Sequence, residues 1–190
     1  MSRIAVVGPS SSGKSSLVQT YVHGSCPETA PKVTLGVDMH TGTWENGDKI
    51  YIWDTAGGPS QQHVMRYYLP GCHALMVVYD CTRPDEIQVR DVSKTLASAK
   101  NHAQGIDKIP LLVVGTKADL LSSTPEVPPK LHRYMSTRNL QHVFASRCNS
   151  EQVNAAFNVL LSSVEQSIPS PLTAFSRPES PVAESTWCEV

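Results

Sequence analysis

Two patterns of apolar residues alternate along the chain. Short, nearly continuous apolar runs predict buried strands, and longer segments with an apolar residue every three or four positions predict amphipathic helices. Strands are predicted at residues 4–7, 37–45, 49–53, 74–79, 111–114 and 142–145, and helices at residues 14–22, along a stripe over 89–99 and over 153–168. The predicted order is close to β-α-β-β-α-β-α-β-α-β-α.

This order indicates an α/β fold in which a mostly parallel sheet carries helices on both faces. The predicted sheet has six strands and about five flanking helices. One strand is expected to be antiparallel, because Asn46-Gly47 lies between the second and third strands. That dipeptide is expected to supply two residues of positive φ to a tight hairpin.

The folded unit is predicted to span residues 1–167 as one domain, a length typical of a single α/β unit. After it, Pro169, Pro171, Pro178 and Pro181 interrupt a Ser-rich segment. Such a composition holds no helix and buries little surface. Residues 168–190 are therefore predicted to form a disordered, Pro/Ser-rich tail.

The composition narrows the classes of function. The 190 residues carry 16 Lys and Arg against 17 Asp and Glu, so no strong positive field favours nucleic acid. No apolar run approaches the roughly 18 residues of a membrane helix, and no signal peptide precedes the first strand. We therefore expect a soluble, intracellular chain. Reduced thiols are expected at Cys26, Cys72, Cys81, Cys148 and Cys188, which have no Cys-x-x-Cys spacing.

Residues 8–15 read Gly-Pro-Ser-Ser-Ser-Gly-Lys-Ser, a full G-x-x-x-x-G-K-[ST] match between a strand and a helix. In this phosphate loop, backbone amides surround a polyphosphate, Lys14 supplies charge to the β- and γ-phosphates, and the Ser15 hydroxyl binds Mg²⁺. The alternative, a Ser/Gly-rich surface turn, is disfavoured by the strand–helix context. The predicted contacts are Gly8, Ser10, Ser11, Ser12, Gly13, Lys14, Ser15 and Ser16.

Residues 116–119 read Thr-Lys-Ala-Asp and follow a predicted strand. The Asp119 carboxylate can accept hydrogen bonds from N1–H and the exocyclic amine of guanine, a donor pair that adenine lacks. The aliphatic part of Lys117 can cover the base. An isolated tetrapeptide of this kind is more often a helix cap, but its position after a phosphate loop and a strand favours base recognition. We call residues 116–119 the guanine loop and expect Thr116, Lys117 and Asp119 to contact nucleotide.

A third segment, Trp-Asp-Thr-Ala-Gly at residues 53–57, ends a predicted strand. The three segments, in this order and at these separations, resemble the Ras superfamily of small GTPases, which have the P-loop NTPase fold. Thr-Leu-Gly-Val-Asp at 34–38, Tyr-Ile-Trp-Asp-Thr-Ala-Gly at 51–57, Tyr-Tyr at 67–68 and Val-Tyr-Asp at 78–80 are most similar to the Rab branch. The resemblance covers about residues 3–166.

The resemblance implies the cofactors GTP or GDP with Mg²⁺. It implies that Thr34 binds Mg²⁺ through its hydroxyl and the γ-phosphate through its amide, and that Asp54 holds Mg²⁺ through water. Gly57 would offer its amide to the γ-phosphate. The metal set is thus Ser15, Thr34 and Asp54. Ser146 and Arg147 stand where the family has a Ser-Ala-Lys segment that supports the guanine base. Only the serine matches, so the resemblance implies that the backbone amide of Arg147 makes the contact with the base.

The first departure from the family concerns hydrolysis. Gly58 occupies the position where the family usually has the Gln that orients the attacking water. Because phosphoryl transfer depends on positioning and charge stabilisation, we expect weak GTPase activity and assign no certain catalytic residue. The alternative is that Gln61 or Gln62 reaches the site after a loop rearrangement.

The second departure concerns membranes. Residues 186–190 read Thr-Trp-Cys-Glu-Val, which is not a Cys-a-a-X box and follows no basic run. Cys188 is therefore expected to be an exposed thiol, and membrane association to be indirect, through a partner. The chain is expected to be cytoplasmic, with recruitment to membranes or the cilium by that partner.

These observations predict a Rab-like switch in vesicle or ciliary transport. It would bind protein effectors through residues of about 27–37 and 57–70, without nucleic acid, as a monomer or a subunit of a hetero-complex. The alternative is a non-switching subunit of a transport complex that keeps GTP as a structural element. A P-loop kinase of small metabolites is a further alternative, but neither an acceptor site nor a lid is visible in the sequence.

Overall fold

The computed structural model describes residues 1–29, 31–58 and 64–167. The predicted tail and Gln61 and Gln62 lie outside these residues. The strands are β1 (Ser2–Val7), β2 (Val37–Thr43), β3 (Lys49–Thr55), β4 (Ala74–Asp80), β5 (Leu111–Thr116) and β6 (Gln141–Ala145). The helices are α1 (Lys14–His23), α2 (Met65–Tyr68), α3 (Asp85–His102), α4 (Pro129–Ser136) and α5 (Ser150–Ser167).

The six strands form one sheet in the order β2-β3-β1-β4-β5-β6. Only β2 is antiparallel to its neighbour; β1, β3, β4, β5 and β6 run parallel. The predicted fold class and element order are confirmed. Because parallel strands end at the same edge, the loops after β1, β3, β4, β5 and β6 meet there.

The sheet separates two apolar cores, since successive side chains of a strand point to opposite faces. Ile4 and Val6 of β1 belong to the core that α1 and α5 cover. Ala5 and Val7 belong to the core that α2, α3 and α4 cover. The continuous apolar runs of β1, β4 and β5 are thus explained by burial on both faces.

The β2–β3 hairpin differs from its prediction. Gly47 has a φ of 85°, whereas Asn46 does not have positive φ. The Gly47 amide donates to the Trp44 carbonyl at 2.9 Å, and the Trp44 amide donates to the Asp48 carbonyl at 2.9 Å. This is a three-residue loop with one left-handed glycine. The Asn46 side chain accepts the Asp48 amide hydrogen bond at 2.9 Å, which favours this loop over the tighter turn.

None of the helices in the described part of the chain combines the length and apolarity needed to cross a membrane.

Candidate functional site

The phosphate loop joins the end of β1 to the start of α1, and two glycines allow its path. A Cβ on Gly8 would lie 2.1 Å from the Val78 carbonyl oxygen, so only glycine lets the loop pass β4. Gly13 caps α1 with a φ of 89°, and no described side chain caps this helix end. The first amides of α1 therefore keep their hydrogens available for an anion.

Lys14 points into this loop. Its side chain is buried and its Nζ donates to the Pro9 carbonyl at 2.7 Å. Burial lowers the pKa of Lys14 to about 8, although the charge of Asp54 opposes that shift. An anion beside Lys14 would favour the charged ammonium, so the position is suited to a phosphate.

Three side-chain oxygens from different elements converge beside Lys14. The Ser15 hydroxyl lies 3.0 Å from that of Thr34, and the Thr34 hydroxyl donates to Asp54 Oδ2 at 3.3 Å. The other oxygen, Oδ1, is buried with no hydrogen-bond partner among the described residues. Burial raises the pKa of Asp54 above its usual value. A buried carboxylate oxygen without a partner is costly unless a cation or donor joins it.

This oxygen set fits Mg²⁺, which prefers hard oxygen ligands and usually takes one or two carboxylates together with substrate phosphates. No group of three or more His, Cys, Asp or Glu side chains with metal-binding geometry occurs in residues 1–29, 31–58 and 64–167. The site therefore matches a metal that is completed by a phosphate ligand better than a metal held entirely by protein.

The guanine loop is fastened to the phosphate loop by Thr116. Its buried hydroxyl lies 2.5 Å from the Ser12 carbonyl and 2.9 Å from the Tyr79 carbonyl. Lys117 has a φ of 64°, and its Nζ lies 2.6 Å from Asp80 Oδ2. Asp119 is exposed at the start of the short 3-10 turn that follows.

The loop between β6 and α5 lies on the same side of the sheet. The Ser146 amide donates to Gln152 Oε1 at 3.0 Å, and the Thr20 hydroxyl donates to the Arg147 carbonyl at 2.9 Å. These contacts hold Ser146 and Arg147 between α5 and α1. Sequence reasoning missed Thr20 and Gln152, because a single threonine or glutamine side-chain contact leaves no periodic or motif signal.

Asp80 is another site residue that sequence reasoning did not assign. Partial burial acts to raise its pKa, but hydrogen bonds from Lys117 and Thr82 outweigh burial and leave the pKa below its usual value. Asp80 therefore stays ionised and fixes the Lys117 ammonium. The signal in the sequence is the Val-Tyr-Asp segment at 78–80, which contributes to the family resemblance but does not by itself indicate a contact with Lys117.

One cavity of about 440 Å³ joins these loops. Twelve predicted site residues line it, namely Ser10, Ser11, Gly13, Lys14, Ser15, Ser16, Thr34, Gly57, Thr116, Lys117, Asp119 and Arg147. The remaining predicted residues, Gly8, Ser12, Asp54 and Ser146, are buried next to the cavity without lining it. Unpredicted lining residues include Leu17, Pro31 and Leu120.

The segment after β3 packs directly on the phosphate loop. A Cβ on Gly57 would lie 2.3 Å from the Ser10 backbone nitrogen, so glycine is required for this approach. The Ala56 amide donates to the Gly36 carbonyl at 2.8 Å, which links the segment to the residues before β2. Gly58, the next residue, is half-buried.

Comparison with known proteins agrees with this geometry. The Ras family model matches residues 3–166. The chain is 31% identical over 166 residues to the Ras-related protein Rab-11C of Dictyostelium discoideum, covering 85% of this chain and 71% of that protein. It is 28% identical to RABA2a of Arabidopsis thaliana, covering 85% and 74% of the two chains. It is 27% identical to the GTP-binding protein YPTM2 of Zea mays, covering 98% and 94%.

Proposed function

The chain belongs to the Ras family of small GTPases, in its Rab branch, and on that premise we propose that it is a switch that binds GTP or GDP with Mg²⁺. The observation that carries the proposal is the single cavity in which the phosphate loop, Thr34, Gly57 and the guanine loop meet. Each of these parts has a separate chemical task.

The phosphate loop binds the β- and γ-phosphates. Amides of residues 10–16 donate to the phosphate oxygens, and the Lys14 ammonium exchanges the Pro9 carbonyl for phosphate oxygen. The proposal is supported by the burial of Lys14, because a buried ammonium gains most from a neighbouring anion. Gly8 and Ser12 shape the loop from behind.

Ser15, Thr34 and Asp54 hold Mg²⁺. When bound, the metal neutralises phosphate charge. The hydroxyls of Ser15 and Thr34 would be ligands, and Asp54 would supply the negative charge. The buried Oδ1 of Asp54, which has no partner in the described part of the chain, supports this assignment.

The guanine loop selects the base. Asp119 accepts hydrogen bonds from the guanine N1–H and amine, and Lys117 covers the ring while Asp80 holds its ammonium. Ser146 and the Arg147 amide support the base from the loop between β6 and α5. The exposed Asp119 carboxylate is free to meet the ring edge.

Thr34 and Gly57 report the presence of the γ-phosphate, since both lie on the segments that the family uses as switches. Residues of about 27–37 and 57–70 form the effector surface. Within these ranges, Val33, Leu35 and Tyr67 are 82%, 81% and 70% exposed. Exposed apolar side chains beside the nucleotide suit a protein partner that distinguishes the two nucleotide states.

Hydrolysis is slow, because Gly58 has no side chain with which to orient water. The Rab-named relatives support a role in vesicle transport. In this proposal a protein partner brings the chain from the cytoplasm to a vesicle or ciliary membrane.

The test is chromatography of the nucleotide that the freshly purified full chain releases on denaturation. GTP or GDP at about one equivalent supports the proposal, and GTP in excess of GDP supports slow hydrolysis. Asp119→Ala is expected to release little guanine nucleotide, whereas Asp107→Ala, a change of an exposed carboxylate outside the cavity, matches the wild type. An empty wild-type site contradicts the proposal.

A second candidate function is favoured by Gly58 alone: a non-switching subunit that keeps GTP as a structural element. A pull-down partner that binds the GTP and GDP forms with equal affinity selects this candidate. A partner that prefers the GTP form selects the switch.

A further inference from the structure

Two cysteines that are distant in sequence meet beside the guanine-binding end of the cavity. Cys26 lies two residues beyond Gly24, which caps the carboxyl end of α1. Cys148 follows Arg147 in the loop between β6 and α5. The two sulfurs are 2.7 Å apart although the residues are separated by 122 positions.

The pair has the geometry and access for covalent bonding. A disulfide bond is about 2.05 Å long, so the sulfurs need to approach by only a fraction of an ångström. Cys148 is exposed and Cys26 is half-buried, so a small oxidant reaches both. The hydrogen bond with Cys148 raises the pKa of Cys26, and Cys148 is the more exposed of the two thiols.

The other two described cysteines differ from this pair in their burial. Cys72 and Cys81 are buried in the core between the sheet and α3, and burial raises the pKa of each to about 11. Such thiols react slowly. Among the described cysteines, reactivity is therefore confined to the pair beside the cavity.

We infer that Cys26 and Cys148 are a reversible disulfide site that holds the guanine end of the nucleotide cavity closed; the effect on nucleotide rests on the proposed function, whereas the disulfide itself does not. The oxidant is a low-molecular-weight disulfide such as oxidised glutathione. The Cys148 thiolate attacks it and releases one glutathione thiolate. The Cys26 thiolate then displaces the second glutathione. The two cysteines lose two electrons and two protons, and oxidised glutathione becomes two molecules of reduced glutathione.

A disulfide between Cys26 and Cys148 would restrain the loop that carries Arg147. Arg147 lines the cavity next to Cys148, and its carbonyl is already tied to α1 by Thr20 at 2.9 Å. A disulfide adds a second connection, from Cys26 after α1 to Cys148 in the loop between β6 and α5. The oxidised protein holds Arg147 and the residues after α1 in the arrangement that lines the cavity, so we expect it to release nucleotide more slowly.

The experiment uses the full chain loaded with fluorescent GDP and incubated with oxidised or reduced glutathione. Non-reducing peptide mapping is expected to show a Cys26–Cys148 link with the loss of two hydrogens. Release of the fluorescent GDP is expected to slow by at least about tenfold, because the covalent bond holds the residues after α1 against the loop that carries Arg147. Dithiothreitol is expected to restore the original rate.

Cys26→Ser and Cys148→Ser each remove the link and the redox effect, whereas Cys188→Ser, the matched control in the tail, keeps both. A lasting glutathione adduct without the link, or a link to Cys188, overturns the disulfide site. A Cys26–Cys148 link with an unchanged release rate overturns its role at the cavity. A chain that binds no guanine nucleotide in either redox state refutes the proposed function, and the peptide map still decides the cysteine pair.

Discussion

Gly58 is the residue on which the proposed rate of hydrolysis depends. It follows Gly57 at the cavity and has no side chain that can position water. Gly58→Gln is expected to increase single-turnover GTP hydrolysis by about a hundredfold, the lower end of the range that a positioned proton-transfer group contributes.

The matched control is Gly58→Ala, which changes the backbone preference without adding an orienting group. It should leave hydrolysis near the wild-type rate. If Gly58→Gln hydrolyses no faster than Gly58→Ala, the missing glutamine does not explain slow turnover, and a wild-type rate at or above that of ordinary family members contradicts slow turnover itself.

Thr116 connects the guanine loop to the phosphate loop through its hydroxyl. Thr116→Val keeps the shape but leaves the Ser12 and Tyr79 carbonyls without this donor. The free energy of unfolding is expected to fall by about 1–3 kcal/mol, and nucleotide affinity to fall with it. Thr137→Val, which removes a hydroxyl donating to the Tyr134 carbonyl at the surface, serves as control in denaturant titrations and should change stability by less than about 0.5 kcal/mol. Equal effects of the two substitutions would contradict the linking role.

For individual residues, the sequence indicated those site residues that belong to a motif. It did not indicate those whose role comes only from a contact in the folded chain. Lys14 and Asp119 belong to motifs of recognisable spacing, and both line the cavity. Asp80 and Thr20 contact site residues that are distant in the chain, so their roles depend on the folded arrangement. Gln152 contacts Ser146 only six positions away, but the contact forms across the turn that leads into α5 and belongs to no motif. The contact between Cys26 and Cys148 is of the same kind.

Among the elements, β6 carries a pH-sensitive side chain. His142 lies 2.9 Å from the Tyr79 hydroxyl and packs edge-on against Phe144. Burial lowers the pKa of His142 to about 4, from an ordinary value of 6.5. Between these pH values the unfolded chain binds more protons than the folded chain, so stability falls as the pH falls from about 6.5 to about 4.

The expected loss from this histidine is up to about 3 kcal/mol in the free energy of unfolding. It is measured by urea titrations between pH 4 and pH 7. His142→Gln, which keeps a polar partner for Tyr79, should lose less stability over this interval than the wild type. Parallel pH profiles for the two proteins would show that His142 does not titrate in this way.

Element types and order were predictable because buried strands and amphipathic helices leave different periodicities. The β2–β3 hairpin was not, since Asn46-Gly47 is compatible with more than one turn. The hydrogen bond that the Asp48 amide donates to the Asn46 side chain stabilises the longer, three-residue loop. Strand ends also extended beyond prediction: β3 continues to Thr55, whose hydroxyl donates to the Val6 carbonyl at 2.8 Å.

At the scale of the whole molecule, the two cores are completed before the predicted tail. Val164 of α5 is buried against the sheet, and α5 ends at Ser167. A chain ending at Ser167 is therefore expected to keep the melting temperature and the GDP affinity of the full chain. Differential scanning calorimetry and GDP titration of both chains check this. A melting temperature lowered by more than about 4 °C would mean that residues 168–190 stabilise the folded unit by roughly 1 kcal/mol or more.

The overall architecture was predictable because parallel strands bring their carboxyl ends to one edge, where the three motif segments follow β1, β3 and β5. The cavity that they share, and the approach of Gly57 to within contact of Ser10, required the packed structure. The central claim is that this cavity binds guanine nucleotide.

The most direct test is titration of the nucleotide-free full chain with GDP and with ADP, each with Mg²⁺, followed by calorimetry. We predict that GDP binds at least about a hundredfold more tightly than ADP, because only guanine satisfies Asp119. Equal affinity for the two nucleotides, or no binding of GDP, would contradict the account.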